Sequence, residues 1–233
     1  MNQQQYSTAL IVGAGAGLSA SLARTFHKAG LGIALAARDV DKLAELCTEF
    51  GATAYACDSS DATQVRRLFA SLESGIGTPD VVVYNAGARV RGPFVDLDAD
   101  DVERALAVSA FGGFLVGQEA ARCMLRKGFG AILFTGASAS IKGYPQSASF
   151  AMGKFALRGL AQSMARELAP QGIHVAHFVI DGAIKNPGRS EPAGHPDSML
   201  DPDAIAENYL HVLMQPRSAW TWEVELRPWV EKF

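Results

Sequence analysis

The chain has 233 residues, of which 48% are hydrophobic and 19% charged, and its formal net charge is -3. This composition predicts a folded globular protein of one large domain or two small ones, and it excludes a disordered chain. The charge balance gives no basic surface for nucleic acid, and the apolar runs fall short of the roughly 20 residues that a membrane-spanning helix needs, so we expect neither partner.

The cysteines and the N-terminus bear on where the protein works. Cys47, Cys57 and Cys123 are scattered and form no CxxC pair, which favours a reducing, cytoplasmic setting. The first residues, MNQQQYSTAL, lack the positive start and apolar core of a signal peptide. His, Cys and carboxylate residues show no metal-ligand spacing, so we expect a soluble cytoplasmic protein without a metal.

Short β-rich apolar runs alternate with helical patterns along the whole chain. We predict strands at residues 8–13, 33–37, 53–57, 81–84, 131–135, 174–180 and 220–226. We predict helices at residues 18–28, 41–50, 61–72, 98–127 and 203–214, and a further helix that carries Phe150 and Lys154 and extends to about 168. The alternation indicates an α/β fold: a doubly wound (Rossmann-type), mostly parallel sheet with helices on both faces. No linker is visible, so we expect a single domain, 1–233, with a substrate loop at 183–202.

A glycine-rich turn, Gly13-Ala14-Gly15-Ala16-Gly17, follows the first predicted strand. Glycines allow a sharp turn there and let a pyrophosphate approach the N-terminus of the next helix. A tight strand-to-helix turn without a ligand is the alternative. Its place in the first βαβ unit favours a dinucleotide.

The second predicted strand ends in Ala36-Ala37-Arg38, where a site for NAD(H) usually places an acid. The fixed positive fork of arginine suits a 2′-phosphate. We therefore predict NADP(H) in preference to NAD(H), with Arg38 as the phosphate contact. The alternative is a solvated loop arginine, and the adjacent Asp39 favours that alternative.

Phe150 and Lys154 lie one helical turn apart, on one face of a predicted helix. This spacing resembles the Tyr-x-x-x-Lys signature of the short-chain dehydrogenase/reductase family, with Phe150 at the tyrosine position. A phenyl ring has no proton to donate, so the acid/base group of that family is absent here.

Other segments resemble the same family from Thr8 to Leu226. Tyr84-Asn85-Ala86-Gly87 is similar to its Asn-Asn-Ala-Gly motif, and the glycine turn is similar to G-x-x-x-G-x-G with Ser19 at the third glycine. Asp58 matches an adenine contact, although it could equally cap the following turn. The resemblance implies that the dinucleotide is held by Gly13, Gly15, Gly17, Leu18, Ser19, Arg38, Asp58, Asn85, Ala86, Gly87, Lys154, Gly182 and Ile184.

Three of the four catalytic positions implied by the resemblance differ from the family pattern. Lys154 is kept, Phe150 stands for the tyrosine, Ala137 falls thirteen residues earlier where a serine is usual, and Ser109 stands for a helix asparagine. In an extended segment, Ser138 and Ser140 would flank Ala137 and point elsewhere.

Substitute groups are therefore of interest near the site. Asp181 replaces a family proline, and Asn186 falls at a threonine position. Tyr144 is the first candidate for a replacement proton donor, followed by Lys185 and His195. His174 and His177 are expected to flank strand six and to be structural.

Two functions follow from the resemblance. One is an NADP(H)-dependent oxidoreductase acting on an unidentified small carbonyl or alcohol, with an atypical site. The other is a catalytically inactive NADP(H)-binding sensor or partner subunit. The resemblance also implies a homodimer or homotetramer assembled through the helices around 102–125 and 149–168.

Overall fold

The computed structural model describes residues 6–231, and these form a seven-stranded parallel sheet in the order β3-β2-β1-β4-β5-β6-β7. The strands are β1 Thr8–Val12, β2 Gly32–Ala37, β3 Thr53–Ala56, β4 Val81–Tyr84, β5 Gly130–Thr135, β6 Ile173–Ile180 and β7 Glu223–Leu226. The predicted fold class, a doubly wound parallel sheet, is confirmed.

Helices cover both faces of the sheet. They are α1 Leu18–Lys28, α2 Ala44–Phe50, α3 Ala62–Ser74, α4 Ala99–Leu106, α5 Gly112–Lys127, α6 Ala148–Leu168 and α7 Pro202–Leu213. Helices α1, α2 and α7 pack into a core on one face, whereas α3, α5 and α6 pack into a core on the other. Central strands such as β5 and β6 are buried along their whole length, as expected for strands covered on both sides.

Several predicted boundaries differ from the observed ones. Helix α2 does not begin at Asp41, because residues 41–43 form a 3-10 turn before it. The last strand begins at Glu223, three residues later than the alternating pattern suggested. His174 and His177 lie within β6 and do not flank it. Asp61, Asp98 and Asp201 cap their helices through side-chain hydrogen bonds, as expected for aspartate at these positions.

The helix predicted over 98–127 is not continuous. A π-helical segment, Ala107–Phe111, joins α4 to α5. The Tyr84 hydroxyl donates a hydrogen bond to the Val108 carbonyl inside this segment, and a Cβ at Gly112 would collide with that hydroxyl. Short π segments of this kind are frequent at functional sites, and this one contains Ser109.

The parallel register brings the carboxyl ends of the strands to one edge of the sheet. Val12 pairs with both Ala36 and Tyr84, and Thr135 pairs with Phe178. The turns that follow β1, β2, β4, β5 and β6 therefore meet at this edge, where ligands bind in folds of this type. Within residues 6–231, no helix is both long and apolar enough to cross a membrane.

Candidate active site

Two adjoining cavities cross the carboxyl edge of the sheet, and Asn85 and Gly87 form part of the wall of both. One has a volume of about 800 Å³ and lies beside the segments that follow β1, β2, β3 and β4. The other has a volume of about 620 Å³ and lies between β4, β5 and β6. Together they form one groove, with a β2 end and a β5 end.

Most of the predicted site residues line this groove. The β2 end includes Gly13, Gly15, Arg38, Asp58 and Ala86, and the β5 end includes Gly17, Leu18, Ala137, Tyr144, Phe150, Lys154, Gly182 and Ile184. Ser19 and Ser109 are buried and lie on neither wall. Their hydrogen bonds show what they do instead.

The backbone of the glycine turn is fixed by close packing. Gly13 has φ +82°, and a Cβ added there would lie 2.5 Å from the Ala86 backbone nitrogen. Gly15 differs, because a Cβ at that position would meet no protein atom within 4 Å. The turn therefore needs Gly13 for its own conformation, while Gly15 keeps an open surface facing the groove.

Ser19 ties the glycine turn to the motif after β4. Its hydroxyl donates to the Gly13 carbonyl at 3.0 Å and accepts from the Asn85 amide nitrogen at 2.7 Å. The serine at the expected third-glycine position thus holds the two motifs together. Ser19 lies on neither wall, and its predicted contact with the dinucleotide stays a prediction.

Both basic and acidic side chains line the far edge of the β2 end, with Asp39, Asp41 and Glu45 beside the cations. Arg38 is exposed on the wall together with Lys42. Asp39 follows Arg38 in the chain, but its carboxylate pairs with Lys42 at 2.9 Å. Asp39 is therefore directed to a cation other than Arg38. Asp58 accepts hydrogen bonds from the Ser60 backbone and hydroxyl at 2.9 and 2.7 Å. Asp58 therefore stabilises the turn and also lines the groove.

Lys154 is the buried charge at the β5 end. Its side chain is almost fully buried, and its ammonium donates to the Thr135 carbonyl at 2.7 Å. The ammonium lies 5.9 Å from the centre of the Phe150 ring, in agreement with the predicted shared helix face. Burial lowers the pKa of Lys154 from 10.5 to about 8, since a low-dielectric environment disfavours the charged form. This lysine can exchange protons near neutral pH.

The segment after β5 is not extended, which corrects one sequence-based expectation. Residues Ser138–Ser140 form a 3-10 turn, and Ser138 lines the groove beside Ala137. Ser140 points away from the groove, and its buried hydroxyl accepts from the Ala137 backbone N–H at 3.1 Å. Alternation of side chains holds for strands and fails in a tight turn.

A buried polar network supports this turn from below. The Ser140 hydroxyl lies 3.3 Å from Nε2 of His177, and Nδ1 of His177 lies 3.0 Å from the Glu223 carboxylate. Arg158 binds the same carboxylate with two 2.7 Å hydrogen bonds. Burial lowers the pKa of His177 to about 4, so the imidazole is neutral at pH 7. A Cβ at Gly136 would collide with this imidazole.

Asp181 and the side chains that the sequence suggested as proton donors are placed differently from one another. Asp181 lines the groove, but Lys142 and Arg227 neutralise it at 3.1 and 3.6 Å. Tyr144 also lines the groove and is 44% exposed. Lys185 lies on the wall and pairs with Glu191 at 3.2 Å, whereas His195 is not on the wall.

Ser109 and Arg89 complete the site. The Ser109 hydroxyl accepts from the Ala88 backbone N–H at 3.0 Å and donates to the Ala88 carbonyl at 3.2 Å. The hydroxyl therefore holds the chain after Gly87, and its support of Lys154 through a water stays a prediction. Sequence reasoning missed Arg89, which lines the groove with its guanidinium carbon 5.2 Å from the centre of the Phe150 ring. Its position two residues after the Asn85-Ala86-Gly87 motif is the sequence feature that could have indicated that it lies near the groove.

Comparisons with known proteins agree with this architecture. The short chain dehydrogenase family model matches residues 7–190. A short-chain dehydrogenase/reductase of Armillaria gallica is 31% identical over 191 residues, which cover 78% of this chain and 73% of that protein.

Two solved structures are similar over nearly the whole chain. A short-chain dehydrogenase from Rhodopseudomonas palustris has 34% identity and a TM-score of 0.83, covering 97% of this chain and 100% of that one. An alcohol dehydrogenase from Thermococcus sibiricus, solved with 5-hydroxy-NADP, has 26% identity and a TM-score of 0.86, covering 98% and 99%.

A doubly wound parallel sheet with a glycine turn after β1 is a Rossmann-type architecture. The chain belongs to the short-chain dehydrogenase/reductase family.

Proposed function

We propose that the protein is an NADP(H)-dependent oxidoreductase that interconverts a small carbonyl compound and its alcohol, with Lys154 as the proton-exchanging group. The observation that carries this proposal is the buried Lys154 ammonium at the β5 end of a groove whose β2 end carries Arg38. A dinucleotide has one reactive ring and one adenosine half, which require a groove with two chemically different ends.

The groove fits such a cofactor. The open space in front of Gly15 suits the close approach of a pyrophosphate to a helix N-terminus. Arg38 supplies a positive charge where a 2′-phosphate would distinguish NADP(H) from NAD(H). The similar alcohol dehydrogenase from Thermococcus sibiricus was solved with 5-hydroxy-NADP, which supports a phosphorylated dinucleotide.

When bound, the nicotinamide supplies or accepts the hydride. Lys154 then has two tasks, to bind the nicotinamide ribose and to exchange a proton with the substrate oxygen. An ammonium has three N–H donors, and the Thr135 carbonyl accepts one of them. A pKa of about 8 allows Lys154 to donate a proton during carbonyl reduction and then to take up a proton from water. Phe150 contributes an apolar wall that excludes water.

The remaining features of the proposal concern the rest of the chain. The protein is one domain over 1–233, and residues 183–202 act as the substrate loop. We expect a cytoplasmic homodimer or homotetramer. Exposed apolar side chains on and beside α5 and α6 support assembly through these helices, namely Phe111, Phe114, Leu125, Met152 and Phe155.

Cofactor binding and turnover are measured separately to test the proposal. Fluorescence titration should give tighter binding of NADPH than of NADH. Oxidation of NADPH is then followed with a panel of ketones and aldehydes. Failure to bind either dinucleotide at millimolar concentration would overturn the proposal.

An inactive sensor or partner subunit is the second candidate, and a specific observation favours it. Phe150 and Ala137 remove the acid and the serine hydroxyl of the family pattern. Loss of acid/base help typically lowers a rate by about 10²–10⁴. Tight NADPH binding without oxidation by any carbonyl compound would support this candidate.

The double substitution Phe150→Tyr with Ala137→Ser separates the two candidates further. If the wild type is inactive and the double variant reduces ketones, the cofactor is already poised for hydride transfer and the missing groups are the cause. If the wild type is already active, Lys154 becomes the first group to test.

A further inference from the structure

Arg89 places a positive charge beside the reacting end of the groove. Its guanidinium carbon lies 5.2 Å from the centre of the Phe150 ring, and Nη2 donates to the buried Ser147 hydroxyl at 2.9 Å. A guanidinium carries five N–H donors in a planar fork. Among residues 6–231, Ser147 is the hydrogen-bond acceptor of Arg89, so most of the fork faces the groove or solvent.

The backbone on both sides of Arg89 is held by serines. Ser109 binds both the N–H and the carbonyl of Ala88, at 3.0 and 3.2 Å. Ser149 does the same for Val90, at 3.1 and 2.9 Å. Both serines are fully buried. The two clamps fix the direction in which the Arg89 side chain leaves the chain, and this lowers the entropic cost of ordering it around a ligand.

The charges around the β5 end do not cancel. Its basic wall residues are Arg89, Lys154, Lys185 and Arg189, and its acidic ones are Asp181 and Glu231. Lys185 is paired with Glu191, and Asp181 is paired with Lys142 and Arg227. Within the part of the chain that the structure describes, no carboxylate pairs with Arg89 or Arg189. The β5 end therefore attracts an anion.

We propose that the substrate is an anionic carbonyl or alcohol compound, an oxo acid or a hydroxy acid, whose carboxylate is bound by Arg89. The inference rests on the proposed function for the carbonyl group and on Arg89 for the carboxylate. A guanidinium and a carboxylate pair through two parallel hydrogen bonds. The guanidinium carbon lies over the Phe150 ring at 5.2 Å from its centre, within the range of a cation–π contact.

Calorimetry measures this recognition without turnover. The probes are 2-oxobutanoate, 4-oxopentanoate and benzoylformate, each compared with its methyl ester, and each titrated into the full-length protein with and without NADPH. We expect at least one acid to bind, and to bind more tightly than its ester. Arg89→Met should weaken the binding of that acid about ten- to hundredfold and leave its ester unchanged. Arg89→Lys should fall between the two, because the charge is kept and the fork is lost.

Arg91→Met is the matched control, since Arg91 is exposed close by and does not line the groove. It should bind the acid as the wild type does. The inference is overturned if every acid fails to bind, if the esters bind equally well, or if Arg89→Met binds the acid normally. These results are independent of NADPH binding, so an oxidoreductase of neutral ketones would refute the carboxylate site and leave the proposed function in place.

Discussion

The two ends of the groove are built on different principles. At the β2 end the site is shaped by backbone, since Gly13 packs onto Ala86 and Ser19 joins the glycine turn to Asn85. At the β5 end it is shaped by side chains, among them Ala137, Phe150 and Lys154 on the groove wall. A backbone site cannot change without strain, whereas side chains on a rigid frame can change while the fold persists.

Among the side chains that shape the β5 end, Lys154 should have the largest effect on activity. Lys154→Met should lower kcat/KM for carbonyl reduction by about 10²–10⁴, because it removes the proton source. The wild-type rate should fall as pH rises through about 8, where Lys154 loses its proton. Steady-state kinetics between pH 6 and pH 10 measure both effects, and Lys28→Met, an exposed lysine at the end of α1, is the control.

The titration of Lys154 should also make the free energy of unfolding depend on pH, and this can be measured without substrate. The pKa of Lys154 falls from 10.5 to about 8 on folding, so between these values the unfolded chain binds more protons than the folded one. The free energy of unfolding should therefore rise with pH in this window, by up to about 3 kcal/mol. This rise should be absent in Lys154→Met. An equal rise in the variant would mean that Lys154 is not buried as described.

A second large effect concerns the network beneath the β5 end. Burial lowers the pKa of His177 from 6.5 to about 4, so at pH 5 the unfolded chain binds a proton there and the folded chain does not. The free energy of unfolding should fall by up to about 3 kcal/mol as pH falls from 6.5 to 4. His177→Gln should reduce this dependence in urea unfolding, even if it is less stable at pH 7.

His195→Gln is the control for that measurement, because His195 lies in the exposed loop after β6. Comparison with this variant shows how much of the change in His177→Gln belongs to that one site. A His177→Gln variant with an unchanged pH dependence would show that His177 titrates normally in the folded protein and that the network does not keep it neutral.

The contrast between the two ends also explains what the sequence could reveal. Strand runs, the glycine turn and the motif around Asn85 are contiguous, and their spacing follows from local geometry, so they could be predicted before the fold was seen. The groove confirms that these segments meet at one edge of the sheet. Phe150 and Lys154 share a helix face for the same local reason.

Features that depend on contacts between distant segments could not be predicted. Ser140, His177 and Glu223 come from three separate regions, and their alignment arises from the pairing of β6 with β7 and from the turn after β5. The π-helical segment around Ser109 has no periodic signal, because Tyr84 and Gly112 create it by packing. Arg89 stands in a loop, where no pattern indicates side-chain direction.

Substitution of Arg38 tests cofactor binding at the β2 end, and we expect a smaller effect than for Lys154. Arg38→Gln should weaken NADPH binding about ten- to hundredfold, since it removes charged hydrogen bonds to the 2′-phosphate. Binding of NADH, which has no such phosphate, should change less than about twofold by the same reasoning. Fluorescence titration measures both, with Arg66→Gln as the control because Arg66 lies outside the groove. Equal losses for the two dinucleotides would remove the case for NADP(H) selectivity.

Substitution of Tyr144 should have the smallest effect on kcat/KM. It tests whether Tyr144 is the proton donor at the β5 end. Tyr144 is 44% exposed on the groove wall, whereas Lys154 is buried with a pKa near 8, and a proton donor works best with a pKa near the operating pH. Tyr144→Phe should therefore change kcat/KM by less than about threefold, well below the loss typical of a removed general acid. If Tyr144→Phe instead abolishes turnover while NADPH binding is kept, the proton comes from Tyr144, and Lys154 serves only to bind the ribose.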